Sequence, residues 1–123
     1  MSTIRIDNFG PSAGGTTYSA RGIAKAWVNF NGTGTIAARD SENVSSLTDN
    51  GTGDYTVSYS NSFSSANYQI ATSANNTTAN YEWHLSPYYG SNPTVSQTRC
   101  AGSAGGSLSD MLYLNAAIDG DLA

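Results

Sequence analysis

Few residues of this 123-residue chain can carry acid–base, nucleophilic or metal chemistry: one histidine, one cysteine and nine carboxylates. The histidine, His84, stands in Tyr81-Glu82-Trp83-His84-Leu85, and the sequence contains no H-x-x-H, H-x-H or H-E-x-x-H spacing. No second imidazole therefore falls beside it to share a metal, and it reads as an ordinary strand residue. Eighteen serines supply accidental partners for a Ser-His-Asp triad, but no G-x-S-x-G elbow exposes one. Cys100 is alone, so neither an intrachain disulfide nor a thiolate cluster can form. Asp49-Asn50-Gly51-Thr52-Gly53-Asp54 places oxygen donors on both sides of glycine, like a fragment of a calcium loop. It lacks the later bidentate glutamate and reads as a hairpin turn flanked by aspartates. Asp40 and Glu42 fall on one strand face, as a carboxylate pair would, and read more simply as a solvated turn. The expectation is a non-enzymatic protein without metal or cofactor.

The aromatic residues point to recognition instead. Tyr88 and Tyr89 lie in Ser86-Pro87-Tyr88-Tyr89-Gly90-Ser91-Asn92-Pro93, where the two prolines stiffen the segment. Tyrosine in a rigid loop offers contact area at low entropic cost, and with neighbouring Asn and Ser it suits sugars or proteins. Tyr88, Tyr89 and Asn92 are the candidate recognition loop, with packing on the chain's own sheet or on a sister subunit as the alternative. Trp27 shares a strand face with Lys25, and so large a ring belongs either in the core or in a subunit contact.

The elements that position these residues are strands. Ala24, Ala26, Val28 and Phe30 alternate with Lys25, Trp27 and Asn29, a period of two. Asn31-Gly32-Thr33-Gly34 follows, then Thr35 to Arg39. The device repeats: Val44 to Thr48 leads into Asn50-Gly51-Thr52-Gly53, and Asp54 to Tyr59 alternates again. Asn-Gly between such runs is a hairpin signal, since a type I′ turn needs positive φ at both central residues. Further strands are predicted over 66–71, 81–85, 94–100 and 108–118. Val95 is the one clear apolar anchor of the third, and the stretches 73–80 and 101–107 read as connections. Leu112, Leu114 and Ala116 alternate with Tyr113 and Asn115, which favours strand over helix at the end. The sum is an all-β domain over residues 21–123, a small antiparallel β-sandwich or jelly-roll-like fold. Residues 1–20, with Ile4 and Ile6 alternating before Phe9-Gly10-Pro11, read as an extended N-terminal arm or linker.

The run Ala24-Lys25-Ala26-Trp27-Val28-Asn29-Phe30-Asn31-Gly32-Thr33-Gly34-Thr35 continues through Arg39-Asp40-Ser41, Asn43-Val44-Ser45-Ser46 and Thr48-Asp49-Asn50-Gly51-Thr52-Gly53-Asp54-Tyr55-Thr56-Val57. It resembles a module of bacteriophage tail-fibre-like virion structural proteins, across about a third of the chain. The opening Met1-Ser2-Thr3-Ile4-Arg5-Ile6-Asp7-Asn8 resembles the start of short fibre-type virion proteins. The resemblance implies a homotrimer in the virion and no catalytic residues. Two locations are compatible with it: a tail appendage contacting a host-surface glycan or protein, or a capsid decoration or head fibre attached through the arm. The module ordinarily ends a longer chain, and here it follows about twenty residues, a departure that strengthens the second. A glycan-binding or glycan-cleaving protein is the third reading.

Composition agrees with a secreted, extracellular or virion β-protein and not with a nucleic-acid binder. Charged residues are 11 % of the chain, against the usual quarter, while Ser, Thr, Asn and Gly make up 56 of 123. The formal charge of −4 and a single lysine leave no basic stripe for phosphates. No apolar run reaches membrane-spanning length, and no signal peptide opens the sequence, so release by lysis is the expected route out of the cell. Five N-x-S/T matches, at Asn31, Asn43, Asn50, Asn75 and Asn76, arise by chance in such a composition. So little apolar content makes a thin core, and association would bury more; Ile4, Ile6, Trp27, Phe30 and Tyr113 are the candidate subunit-interface residues.

Overall fold

Alternating side chains need two faces to serve, and a pair of packed sheets supplies them. The computed structural model describes residues 6–10, 13–19, 23–77 and 82–123. Among them are eleven strands and no helix: β1 (Asn8–Phe9), β2 (Tyr18–Ser19), β3 (Ala26–Asn31), β4 (Ala37–Glu42), β5 (Val44–Gly51), β6 (Asp54–Tyr59), β7 (Gln69–Asn75), β8 (Trp83–Pro87), β9 (Gln97–Ala104), β10 (Ser107–Leu108) and β11 (Tyr113–Asp119). One sheet has the order β4-β3-β11-β7. The other carries β5, β6 and β9 side by side, with β8 and β10 also on β9. Every pairing is antiparallel. The fold is the expected all-β sandwich.

The core follows from the alternation. Ala26, Val28 and Phe30 of β3 and Leu114, Ala116 and Ile118 of β11 face Tyr55, Val57 and Tyr59 of β6 and Cys100 of β9. Phe30 meets Tyr55 edge-on at 5.3 Å between ring centres. Tyr59, Phe63 and Tyr68 form a second aromatic group. Each large apolar side chain buried here contributes roughly 1.5–3 kcal/mol. Phe30 is wholly enclosed by its own chain, which removes it from the candidate subunit interface.

The two Asn-Gly-Thr-Gly turns meet in one network. Gly53 N donates to Asp110 Oδ1 at 2.7 Å. The Tyr55 hydroxyl lies 2.8 Å from the same oxygen and 2.9 Å from Gly32 O, donating to one at a time. Gly32 N donates to Met111 O, and Gly102 N to Gly53 O. A Cβ on Gly32 would stand 2.5 Å from the Tyr55 oxygen. Gly32 and Gly53 are thus required by close approach, whereas Gly34 and Gly51, with open space at the Cβ position, serve the turns through their positive φ. The second hairpin forms as expected but turns on Thr52-Gly53, since Gly51 still pairs with Asp54; Asn50 lies within β5, not at the turn centre.

Other boundaries move for physical reasons. Ser73 to Asn75 belong to β7, because pairing with β11 satisfies a backbone that composition reads as loop. β8 runs on to Pro87, tolerated since β8 is an edge strand. β9 continues through Ala104, and its inward positions are Thr98, Cys100 and Gly102, while Val95 is exposed. Asp40 and Glu42 lie on β4, not in a turn. β4 and β5 are consecutive but belong to different sheets, and the corner is Asn43 at φ 54°. Asparagine accepts that conformation, and its Oδ1 takes the Asn61 amide at 2.7 Å. At the N-terminus, Asn8–Phe9 pairs with Tyr18–Ser19 as a short antiparallel ribbon. Ile6 is 54 % exposed; Ile4 lies outside the described residues.

Candidate functional site

The loop between β8 and β9 starts from two constraints. Pro87 ends an edge strand, and Gly90, at φ 77°, turns the chain just beyond it. Tyr88 N donates to Arg99 O at 2.8 Å, and Ser91 N to Tyr88 O at 3.2 Å. The far end is tied to the body: Tyr59 N donates to Ser96 O, and Phe63 N to Val95 O. Tyr59 donates its hydroxyl to that of Tyr68, which in turn lies 2.9 Å from Thr94 O. Burial raises the pKa of both tyrosines above the usual phenol value, so both stay protonated as donors.

Side chains fix the loop a second way. The Arg99 guanidinium lies 4.2 Å from the centre of the Tyr88 ring. Arg99 is itself held by Asp54, with Nε to Oδ1 at 2.8 Å and Nη2 to Oδ2 at 2.5 Å. Asn50 Nδ2 adds a longer contact to Asp54 at 3.3 Å. The hydrogen bond from Arg99 holds the buried Asp54 carboxyl below its ordinary pKa, against the opposing effect of burial. The bidentate fork and the stack leave Tyr88 half-buried, and the next side chain, Tyr89, is 97 % exposed. Asn92 is exposed on the same loop. The three expected recognition residues therefore divide: Tyr88 anchors, whereas Tyr89 and Asn92 are presented.

The remaining candidates are dispersed. His84 is exposed on β8, 3.9 Å from Glu82. Asp49 caps the Gly51 amide, and Asp54 is spent on Arg99, so the calcium-loop fragment is a hairpin. Among the described residues no group of three metal-ligating side chains converges. Cys100 is buried, and burial pushes its thiol up to about 12, well away from nucleophilic use. Trp27 is neither core nor fully exposed: it stands half-buried on the outer face of the four-stranded sheet. Tyr113, 40 % exposed, lies on that face beneath Arg39, whose guanidinium is 4.3 Å from the ring centre.

No family model, curated protein or solved structure matches the chain. The residues that sequence reasoning missed are Arg99, Asp54 and Arg39. An aspartate opening a strand straight after a hairpin glycine was the available signal for Asp54. Arg39 carried none, because it owes its position to a β-bulge: Asn29 pairs with Asp40 and Phe30 with Ala38, leaving Arg39 as the extra residue.

Proposed function

We propose that the chain is a non-enzymatic structural subunit of a bacteriophage virion, a tail-appendage protein that contacts the host surface through the loop after β8. The observation that carries this reading is Tyr89, fully presented on a loop fixed at both ends and backed by the Arg99–Asp54 pair. A rigid aromatic contact loses little entropy on binding. Several copies held together gain avidity from weak single contacts, which suits the homotrimer that the 24–59 resemblance implies. Ile6 and Ile23, both about half exposed, are surfaces that association would cover.

Gold-labelled antibody against the protein, applied to purified phage particles carrying it, tests the assignment. Label on tail appendages is the expected result. Label on the head favours capsid decoration instead, and absence from the particles overturns both. Light scattering of the purified protein tests the trimer, for which a mass three times that of one chain is expected.

A further inference from the structure

The outer face of the four-stranded sheet carries a second feature that the loop does not use. β3, β11 and β7 lie side by side, and their register places Trp27, Ala117 and Ala71 in one row across the face. Two alanines beside an indole leave a trough of about 320 Å³, lined also by Ser73 and Asn115. The next row is Asp40, Asn29, Asn115 and Ser73, in which Asn29 Nδ2 donates to Asn115 Oδ1. Two residues along β11 and β7 in the other direction come Asp119 and Gln69. They open onto a polar recess of about 340 Å³, shared with Ser64, Asn67, Tyr68 and Asp121. Period two keeps Asp119 and Ala117, and Gln69 and Ala71, on the same face, so trough and recess run end to end.

Asp119 makes this more than an unfilled surface. Its Oδ1 is shielded from water and has no hydrogen-bond partner among the described residues. An orphaned carboxylate oxygen is costly, and such an atom marks a place where a donor belongs. The terminal carboxylate torsion is soft, so a hydroxyl in the recess can engage either oxygen. We infer that this face binds a neutral oligosaccharide, one sugar ring lying against Trp27 over Ala71 and Ala117 and its neighbour donating hydroxyls to Asp119. A sugar has an apolar C–H face and a hydroxyl edge, and the trough and recess present the matching surfaces in that order. Glu42 pairs beside Trp27, Asp40 lies one row away, and Asp119 and Asp121 line the recess; these four carboxylates outnumber Lys25 and Arg39 on the face, which favours a neutral over an anionic saccharide. The site is separate from the Tyr89 loop and does not require the virion assignment.

The test is a glycan array of neutral and acidic di- to tetrasaccharides, followed by tryptophan-fluorescence titration of the hits on the intact chain. Neutral hits are expected, weakened about tenfold or more in Trp27→Ala and in Asp119→Asn. Ala117→Arg, which blocks the trough while keeping both contact residues, is expected to abolish them, and Tyr89→Ala to leave them unchanged. Circular dichroism checks that each variant is folded. No neutral hit, only acidic hits, or hits insensitive to Trp27→Ala and Ala117→Arg in folded protein would overturn the inference. A change of oligomeric state on Ala117→Arg without glycan binding would overturn it too, assigning the face to a second copy of the chain.

Discussion

Each outer face of the sandwich lays an arginine over a tyrosine ring, and the two differ in what holds the arginine. On the five-stranded sheet, Arg99 covers Tyr88 at 4.2 Å and is gripped bidentately by Asp54, itself only 6 % exposed. On the four-stranded sheet, Arg39 covers Tyr113 at 4.3 Å. It donates to Leu112 O at 2.6 Å and, weakly, to Asn29 Oδ1 at 3.5 Å, with no carboxylate paired to it among the described residues. A planar fork matched to a buried carboxylate fixes direction as well as distance. A guanidinium on an exposed bulge, held by neutral acceptors and a ring face, is less firmly directed. The first arrangement fixes the loop it backs, while the second leaves its arginine more loosely directed.

The largest expected effect lies beneath the gripped stack. Gly53 has φ 63°, and an added Cβ would sit 2.4 Å from Gly102 O and 2.6 Å from Ser109 N, both backbone atoms. Neither can step aside cheaply. Gly53→Ala is expected to cost about 3 kcal/mol or more, read from urea unfolding. Gly34, also at positive φ (62°) but with open space around the Cβ position, should cost about 1 kcal/mol when changed to Ala. Equal losses at the two glycines would break the claim that the Gly53 corner is the stiffer region.

Removing each arginine sharpens the contrast. Arg99→Ala leaves Asp54 buried and charged, with only Asn50 nearby, and frees the Tyr88 ring. Faster amide exchange across 88–92 and a clear fall in melting temperature are expected. Arg39→Ala should leave exchange on that loop unchanged and shift stability by about 0.5–1 kcal/mol, the scale of one exposed cation–π contact. The loop holding its protection in Arg99→Ala would mean that the backbone bonds alone fix it.

How far such differences were legible in the sequence depends on whether pairing or patterning set them. The inward set of β3 and β11 follows from period two alone, because Val28, Phe30, Leu114 and Ile118 have no other face to occupy. The presented Tyr89 was legible from its proline-flanked loop. The ends of β7, β8 and β9 were not, since Ser73, Asn75, Pro87 and Ala104 join strands only because a neighbour offers hydrogen bonds. Phe30 was misjudged as interface because a thin-looking composition hid how completely four aromatic side chains, Phe30, Tyr55, Tyr59 and Phe63, fill the interior. Neither guanidinium stack could be read, one depending on a bulge and the other on strands that meet only in space. Asp119 lies one residue beyond the predicted 108–118 strand and carried no signal; the shielding of its Oδ1 depends on the segment before β7 lying beside β11.

Acid should distinguish the two faces as well. The folded pKa of Asp54 is lowered, chiefly by the hydrogen bond from Arg99. Its contribution to stability is therefore present in full above the unfolded aspartate value, about 3.9, and is lost as pH falls through the lower folded value. Asp54→Asn should lose stability at neutral pH and show a flatter decline below about pH 4, measured by urea unfolding at stepped pH. Arg39→Ala should leave the acid limb as steep as in the parent. An unchanged acid limb in Asp54→Asn would assign the acid sensitivity to other carboxylates.

The smallest expected effect on stability is at Tyr89, the residue on which the proposed contact rests. A side chain 97 % exposed gives folding almost nothing, so Tyr89→Ala should change unfolding free energy by no more than about 0.5 kcal/mol. The same change removes the one large group that the fixed loop presents. If the loop is the contact surface, adsorption of the multivalent protein to host cells should collapse, because the loss is repeated in every copy. Arg99→Ala should also weaken adsorption, but less, since it loosens Tyr89 without deleting it. That order, Tyr89→Ala worse for adsorption and Arg99→Ala worse for stability, separates presenting residue from supporting pair. Adsorption tracking stability across the two variants would leave the loop as scaffold and move the contact to the opposite sheet.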